Sequence, residues 1–207
     1  MNIYMRTPSL TAALLLILSQ TTVSGQQVIL LLGPPGAGKT TQAKYLSRKY
    51  RIPAISMAEI LKKAGGKVNF NRSLKVPLAS GEMVNDEVAN QLIHQRITLK
   101  DAQQGFLLDG YPQTAKQAEY LEAQLKERGL PDPVVLLLDV PDAVALERMS
   151  TRGRADDTPE LSRRRLQQYR AEEKLVLERY TKNQKKVDGT RKPQEVWEEI
   201  QRVLDQR

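Results

Sequence analysis

The stretch Gln27-Val28-Ile29-Leu30-Leu31-Leu32 runs directly into Gly33-Pro34-Pro35-Gly36-Ala37-Gly38-Lys39-Thr40. The first part is a short apolar run suited to a strand buried in a parallel sheet. The second has the G-x-x-x-x-G-K-[ST] spacing, set between that strand and a helix opening near Gly38. Glycines at this spacing let backbone N–H groups turn inward around a phosphate with no Cβ in the way. The helix start aims its positive end at the same place. Gly33, Pro35, Gly36, Ala37, Gly38, Lys39, Thr40 and Thr41 therefore read as a nucleoside triphosphate cradle. In it, Lys39 reaches the outer phosphates and the Thr40 hydroxyl sits beside Mg²⁺.

Outward from this motif, strand-like runs recur at 53–55, 105–108 and 134–138. Helical patterns lie between them. Ser56-Met57-Ala58-Glu59 has the form of a capping box. Asn85 followed by Asp86 and Glu87 opens a helix to about Leu99. Gln113 to Arg128 is helical and is stopped by Gly129 and Pro131. Pro141-Asp142 opens the next helix, a long charged one spans about Pro159 to Lys182, and Pro193 opens the last. Strands alternating with helices imply an α/β fold: a P-loop three-layer sandwich with a parallel sheet between helices.

The 207 residues carry 32 lysines and arginines against 24 aspartates and glutamates, for a net charge of +8. The excess is regional. Arg148 to Lys192 holds 14 basic and 7 acidic residues, a net +7. A basic region attracts an anion. No aromatic stacking platform accompanies the arginines, which argues against nucleic acid. With no cysteine and one histidine, the chain has no disulfide framework, no cysteine zinc site and no multi-histidine metal site.

Residues 1–25 form an apolar amino-terminal extension. Its run Leu10 to Leu18 is too short to span a bilayer as a helix but has the size of a signal-peptide core. ATP chemistry downstream points to the cytoplasm; targeting or export through this run is the alternative.

Seven segments stand in a recognisable order. They are GPPGAGKTTQ from Gly33, PAISMAEIL from Pro53, GEMVNDE from Gly81, GFLLDGYPQTAKQA from Gly105, RGRADD from Arg152, SRRRLQQY from Ser162 and VDGT from Val187. In that order the chain resembles the adenylate kinases among the nucleoside monophosphate kinases, over nearly all of 26–207. The resemblance implies a single domain with a monophosphate-binding segment at about 56–85 and a short lid at about 152–160. It implies reversible transfer of the γ-phosphoryl of MgATP to AMP, giving two ADP, by a monomer without zinc. By resemblance, Lys39, Arg148, Arg154 and Arg165 are catalytic cations. Arg148 and Arg152 flank the ATP phosphates, and Gly189 meets the adenine of ATP. Asp109 stands near Mg²⁺ with Thr40, through water. Met57, Lys62, Gly81, Met83, Val84, Gly110, Gln113, Gln117, Arg154 and Arg165 form the AMP side, where Gln117 reads adenine. Arg163, Arg164 and Arg170 read as solvated.

Two departures concern that side. The family usually places arginine where Gln113 stands, to grip the AMP phosphate. It also usually has threonine at the Met57 position and arginine at the Lys62 position. Glutamine carries no charge, and lysine lacks the planar fork of arginine. Weaker AMP binding follows unless another cation such as Lys116 compensates. Two alternatives stay open: a kinase of another monophosphate, or an ATP-binding module with weak catalysis.

Overall fold

A computed structural model describes residues 27–64, 84–154 and 157–205. The Leu10–Leu18 run, Gly81, Met83 and most of the 56–85 segment lie outside these residues. Five strands form one sheet: β1 (Gln27–Leu32), β2 (Ala54–Ser56), β3 (Gly105–Asp109), β4 (Val134–Asp139) and β5 (Gln184–Asp188). Their spatial order is β2-β3-β1-β4-β5, and every pairing is parallel. The helices are α1 (Lys39–Tyr50), α2 (Met57–Ala64), α3 (Asp86–Ile97), α4 (Ala115–Glu127), α5 (Asp142–Thr151), α6 (Pro159–Arg179) and α7 (Pro193–Asp205).

Side chains alternate along a strand, so β1 serves both faces. Val28, Leu30 and Leu32 join a core with Phe106, Leu108, Ile93 of α3 and Leu121 of α4. Ile29 and Leu31 join the opposite core with Leu107, Leu46 of α1 and Ile200 of α7. Burying each such side chain contributes roughly 1.5–3 kcal/mol. The sheet is therefore the middle of three layers, as the alternating pattern implies. Because α1 leaves β1 on one face and α4 leaves β3 on the other, the carboxyl ends of β1 and β3 open into a crevice. Open α/β sheets bind ligands at such a reversal.

Asn85 caps α3, its Oδ1 accepting the Glu87 N–H at 2.8 Å. Thr114 caps α4 by accepting the Gln117 N–H at 3.1 Å, so this helix begins two residues after Gln113. Ser56 ends β2 and stands immediately before α2. The long helix ends at Arg179 rather than Lys182, where the Tyr180 N–H turns back to Leu177 O. The turn feeds β5, a strand that the sequence pattern does not announce. Gln184, Lys185 and Lys186 are polar because β5 is an edge strand, with only Val187 buried; charge there also blocks edge-to-edge pairing.

Candidate active site

The loop after β1 is shaped by close approach. A Cβ on Gly33 would lie 2.5 Å from Leu138 O, and one on Gly36 would lie 2.5 Å from Ala145 O. Gly36 also has φ +84°, which other residues rarely adopt. The loop is thus pressed against β4 and α5, and its floor is backbone. Ala37 is buried beneath it, Pro35 is half-buried, and Gly38 and Thr41 face outward.

Lys39 arches back over this loop. Its Nζ donates to Gly33 O at 2.6 Å and to Pro34 O at 2.8 Å. Burial pushes the Lys39 ammonium down to about 8; the Asp109 carboxylate opposes this, while Arg152 and Arg154 add to it. Arg152 and Arg154 therefore lie close enough to act electrically on the loop lysine. Asp109 ends β3 in register with Leu31 of β1, one residue before that strand ends. This register brings the Thr40 hydroxyl to Asp109, and Thr40 Oγ1 donates to Asp109 Oδ2 at 2.8 Å. A hydroxyl and a buried carboxylate side by side are hard oxygen donors of the kind that suit Mg²⁺.

Beside the loop, Arg148 of α5 donates through Nη1 to Gly189 O at 2.7 Å and through Nη2 to Thr190 O at 2.9 Å. Gly189 in turn donates its N–H to Asp139 O at 2.9 Å. Arg148 thereby fixes the loop that follows β5. Arg152 pairs with Asp157 through Nε, and through Nη2 at 2.8 Å. Arg165 of α6 reaches the same carboxylate at 3.3 Å. The Asp157 side chain is only 3% exposed, so a buried anion gathers two of the expected arginines. Arg154 is exposed.

Opposite the loop, Gly110 turns the chain at φ +76° with Gln113 Nε2 above it. Gln113 is half-buried. Gln117 is 1% exposed. Its Oε1 accepts the Gln113 N–H at 2.7 Å and its Nε2 donates to Asp86 Oδ1 at 2.9 Å. Met57 is buried within the core of the first face, with Val84 packed against that core. Lys62 is exposed on α2.

The family model described as adenylate kinase matches residues 31–185. The adenylate kinase of Rhizobium meliloti is 39% identical over 189 residues, covering 85% of this chain and 98% of the relative. That of Mycobacterium tuberculosis is 40% identical over 179 residues, with 85% and 98% covered. That of Mycobacterium leprae is 41% identical over 162 residues, with 78% and 90% covered. The chain belongs to the adenylate kinase family.

Within this adenylate kinase, three features take their meaning from the packing. Asp157 anchors Arg152 and Arg165; an ion pair with Asp156, Asp157 or Glu160 is the alternative that the sequence offers for these arginines, and the contact made is with Asp157. Asp86 and Thr114 support Gln117; the Thr114-x-x-Gln117 spacing, a capping box, was the available sign. Arg170 is not a solvated residue. It donates to Asp142 Oδ1 at 2.9 Å, to Glu173 Oε2 at 2.6 Å and to Val140 O at 2.8 Å, tying α6 to the start of α5. A guanidinium with that many donors suits a junction of three elements. His94, exposed on α3, pairs with Gln124 of α4 at 2.7 Å, away from the crevice.

Proposed function

We propose that this adenylate kinase seats its donor nucleotide on the Gly33–Thr40 loop and AMP against Gly110, Gln113 and Gln117, facing each other across the crevice. The reaction is reversible phosphoryl transfer from MgATP to AMP, giving two ADP. An ionised AMP phosphate oxygen attacks the γ-phosphorus, the bond from that phosphorus to the β-γ bridging oxygen breaks, and ADP leaves. No general base is required, which suits a chain with one histidine outside the site. The chain must supply positioning and positive charge. Lys39, Arg152, Arg154 and Arg165 supply the charge, and Asp157 holds Arg152 and Arg165 side by side. Arg148 sets the Gly189 loop against which the ATP adenine rests. Thr40 and Asp109 would hold Mg²⁺, which neutralises charge on the β- and γ-phosphate oxygens when bound.

On the acceptor side, Gln117 reads the base, with Met57 and Val84 forming the wall below. Lys62, Gly81, Met83 and the lid arginines complete the pocket. Segments 56–85 and 152–160 serve as acceptor-binding arm and lid. We place the reaction in the cytoplasm, where ATP is available, with a monomer as the working unit. No helix among the described residues is long and apolar enough to cross a membrane.

The observation that carries this reading is the Thr40–Asp109 contact at the reversal point of the sheet, beside a lysine that arches back over the Gly33–Pro34 turn. A coupled assay across AMP, CMP, UMP and their deoxy forms tests it. AMP should give the highest kcat/KM. Gln113 and Met57 favour one second reading, a kinase of another monophosphate; a higher kcat/KM for such an acceptor would establish it instead.

A further inference from the structure

The Gln117 amide is held by two partners that each work in one direction. The Gln113 N–H can only donate, and it points at Oε1 from 2.7 Å. The Asp86 carboxylate oxygen accepts, and it takes Nε2 at 2.9 Å. Asp86 Oδ1 also accepts from Thr114 Oγ1 at 2.8 Å. Asp86 is the first residue of α3 and Thr114 caps α4, so the carboxylate sits where both helices begin. Turning the amide over would set N–H against N–H and oxygen against carboxylate. Its orientation is therefore fixed.

An amide offers two N–H donors and two oxygen lone pairs. One of each is used, which leaves one N–H beside one lone pair. That remainder matches a base edge with an exocyclic amino group next to a bare ring nitrogen, as in adenine. It opposes an edge with a keto oxygen next to a ring N–H, as in hypoxanthine. Gln117 is 1% exposed, so its amide has little freedom to turn over or to exchange these partners for water.

We propose that Asp86 is a specificity-determining positioning residue: through Gln117 it makes the acceptor site select an amino-purine over a keto-purine monophosphate. The inference rests on the reading above that Gln117 meets the acceptor base. Thr114 supports it from the cap of α4, and Gln113 contributes its backbone rather than its side chain.

The test is kcat/KM for AMP and for inosine monophosphate at saturating MgATP, in the wild type, Asp86→Ala and Asp86→Asn, with thermal unfolding followed in each. The wild type should prefer AMP. Asp86→Ala should lower the AMP-to-inosine ratio about tenfold or more, through KM, with kcat for AMP little changed. Asp86→Asn keeps an oxygen that can accept both bonds and should retain most of the ratio. If Asp86→Ala does not fold, Asp86→Ser, which keeps a hydroxyl at the start of α3 but can turn a donor toward the amide, should shift the ratio the same way. An unchanged ratio in a folded Asp86→Ala or Asp86→Ser protein overturns the proposal. A wild type that does not prefer AMP overturns the Gln117 reading beneath it.

Discussion

The donor and acceptor halves of the crevice are built from different materials. The donor half is closely packed backbone plus fixed charge. Its loop has no room for a Cβ at Gly33 or Gly36, and Lys39, Arg148, Arg152 and Asp109 stand around it. At the centre of the acceptor half stand uncharged glutamines rather than cations. Gln113 and Gln117 form a hydrogen-bonded relay to Asp86, and the cation expected at position 113 is absent. Phosphate binding draws on charge, and base reading draws on direction. The donor half is equipped for the first and the acceptor half mainly for the second.

The contrast breaks most visibly on the donor side. Lys39→Met should lower kcat by about 10²–10³-fold, the scale of removing one donor aimed at developing charge, while the thermal midpoint moves little. A coupled ADP assay alongside calorimetric melting checks this. An unchanged kcat would remove the lysine from the account.

Gly36→Ala comes next. The added methyl meets Ala145 O and the residue must hold φ +84°. Strain of about 1–3 kcal/mol should weaken ATP binding roughly ten- to a hundredfold, read by titration calorimetry. AMP binding measured in the same way should stay near the wild-type value. Equal losses for both nucleotides would mean that the two halves are not independent.

A smaller effect follows from Lys39, held down to about 8 by burial. A bound triphosphate is anionic and raises the lysine pKa. Between pH 8 and 9 the complex then carries more protons than the free protein, so ATP binding takes up a fraction of a proton. Its affinity should fall as pH rises through about 8, and AMP affinity should fall less. Calorimetry in buffers of different ionisation enthalpy measures the proton count. Proton release would contradict the sign.

The same contrast explains what the sequence discloses. The phosphate loop is contiguous, so Gly33 to Thr40 is legible as a motif, and the apolar runs disclose the central strands. The β5 edge strand escapes because only Val187 of its five residues is buried and the hydrophobic signal is missing. Partnerships between distant residues escape for another reason. Thr40 meets Asp109 only because β1 and β3 pair in one register. Asp86 meets Gln117 only because α3 and α4 begin at one point. Arg170 reads as one more surface charge until α5 and α6 are placed together. Composition located the basic region correctly, but which carboxylate each arginine meets is a property of the packing.

The most direct test of the two-halves account is binding of MgATP and of AMP, measured separately by calorimetry, in the wild type and in Gln113→Arg. The account predicts that AMP binds more weakly than MgATP in the wild type. It also predicts that Gln113→Arg tightens AMP roughly tenfold or more by restoring a charge-assisted bond of about 1.5–3 kcal/mol, with MgATP unchanged. An AMP affinity that the arginine does not improve, or a gain shared equally by MgATP, would contradict it.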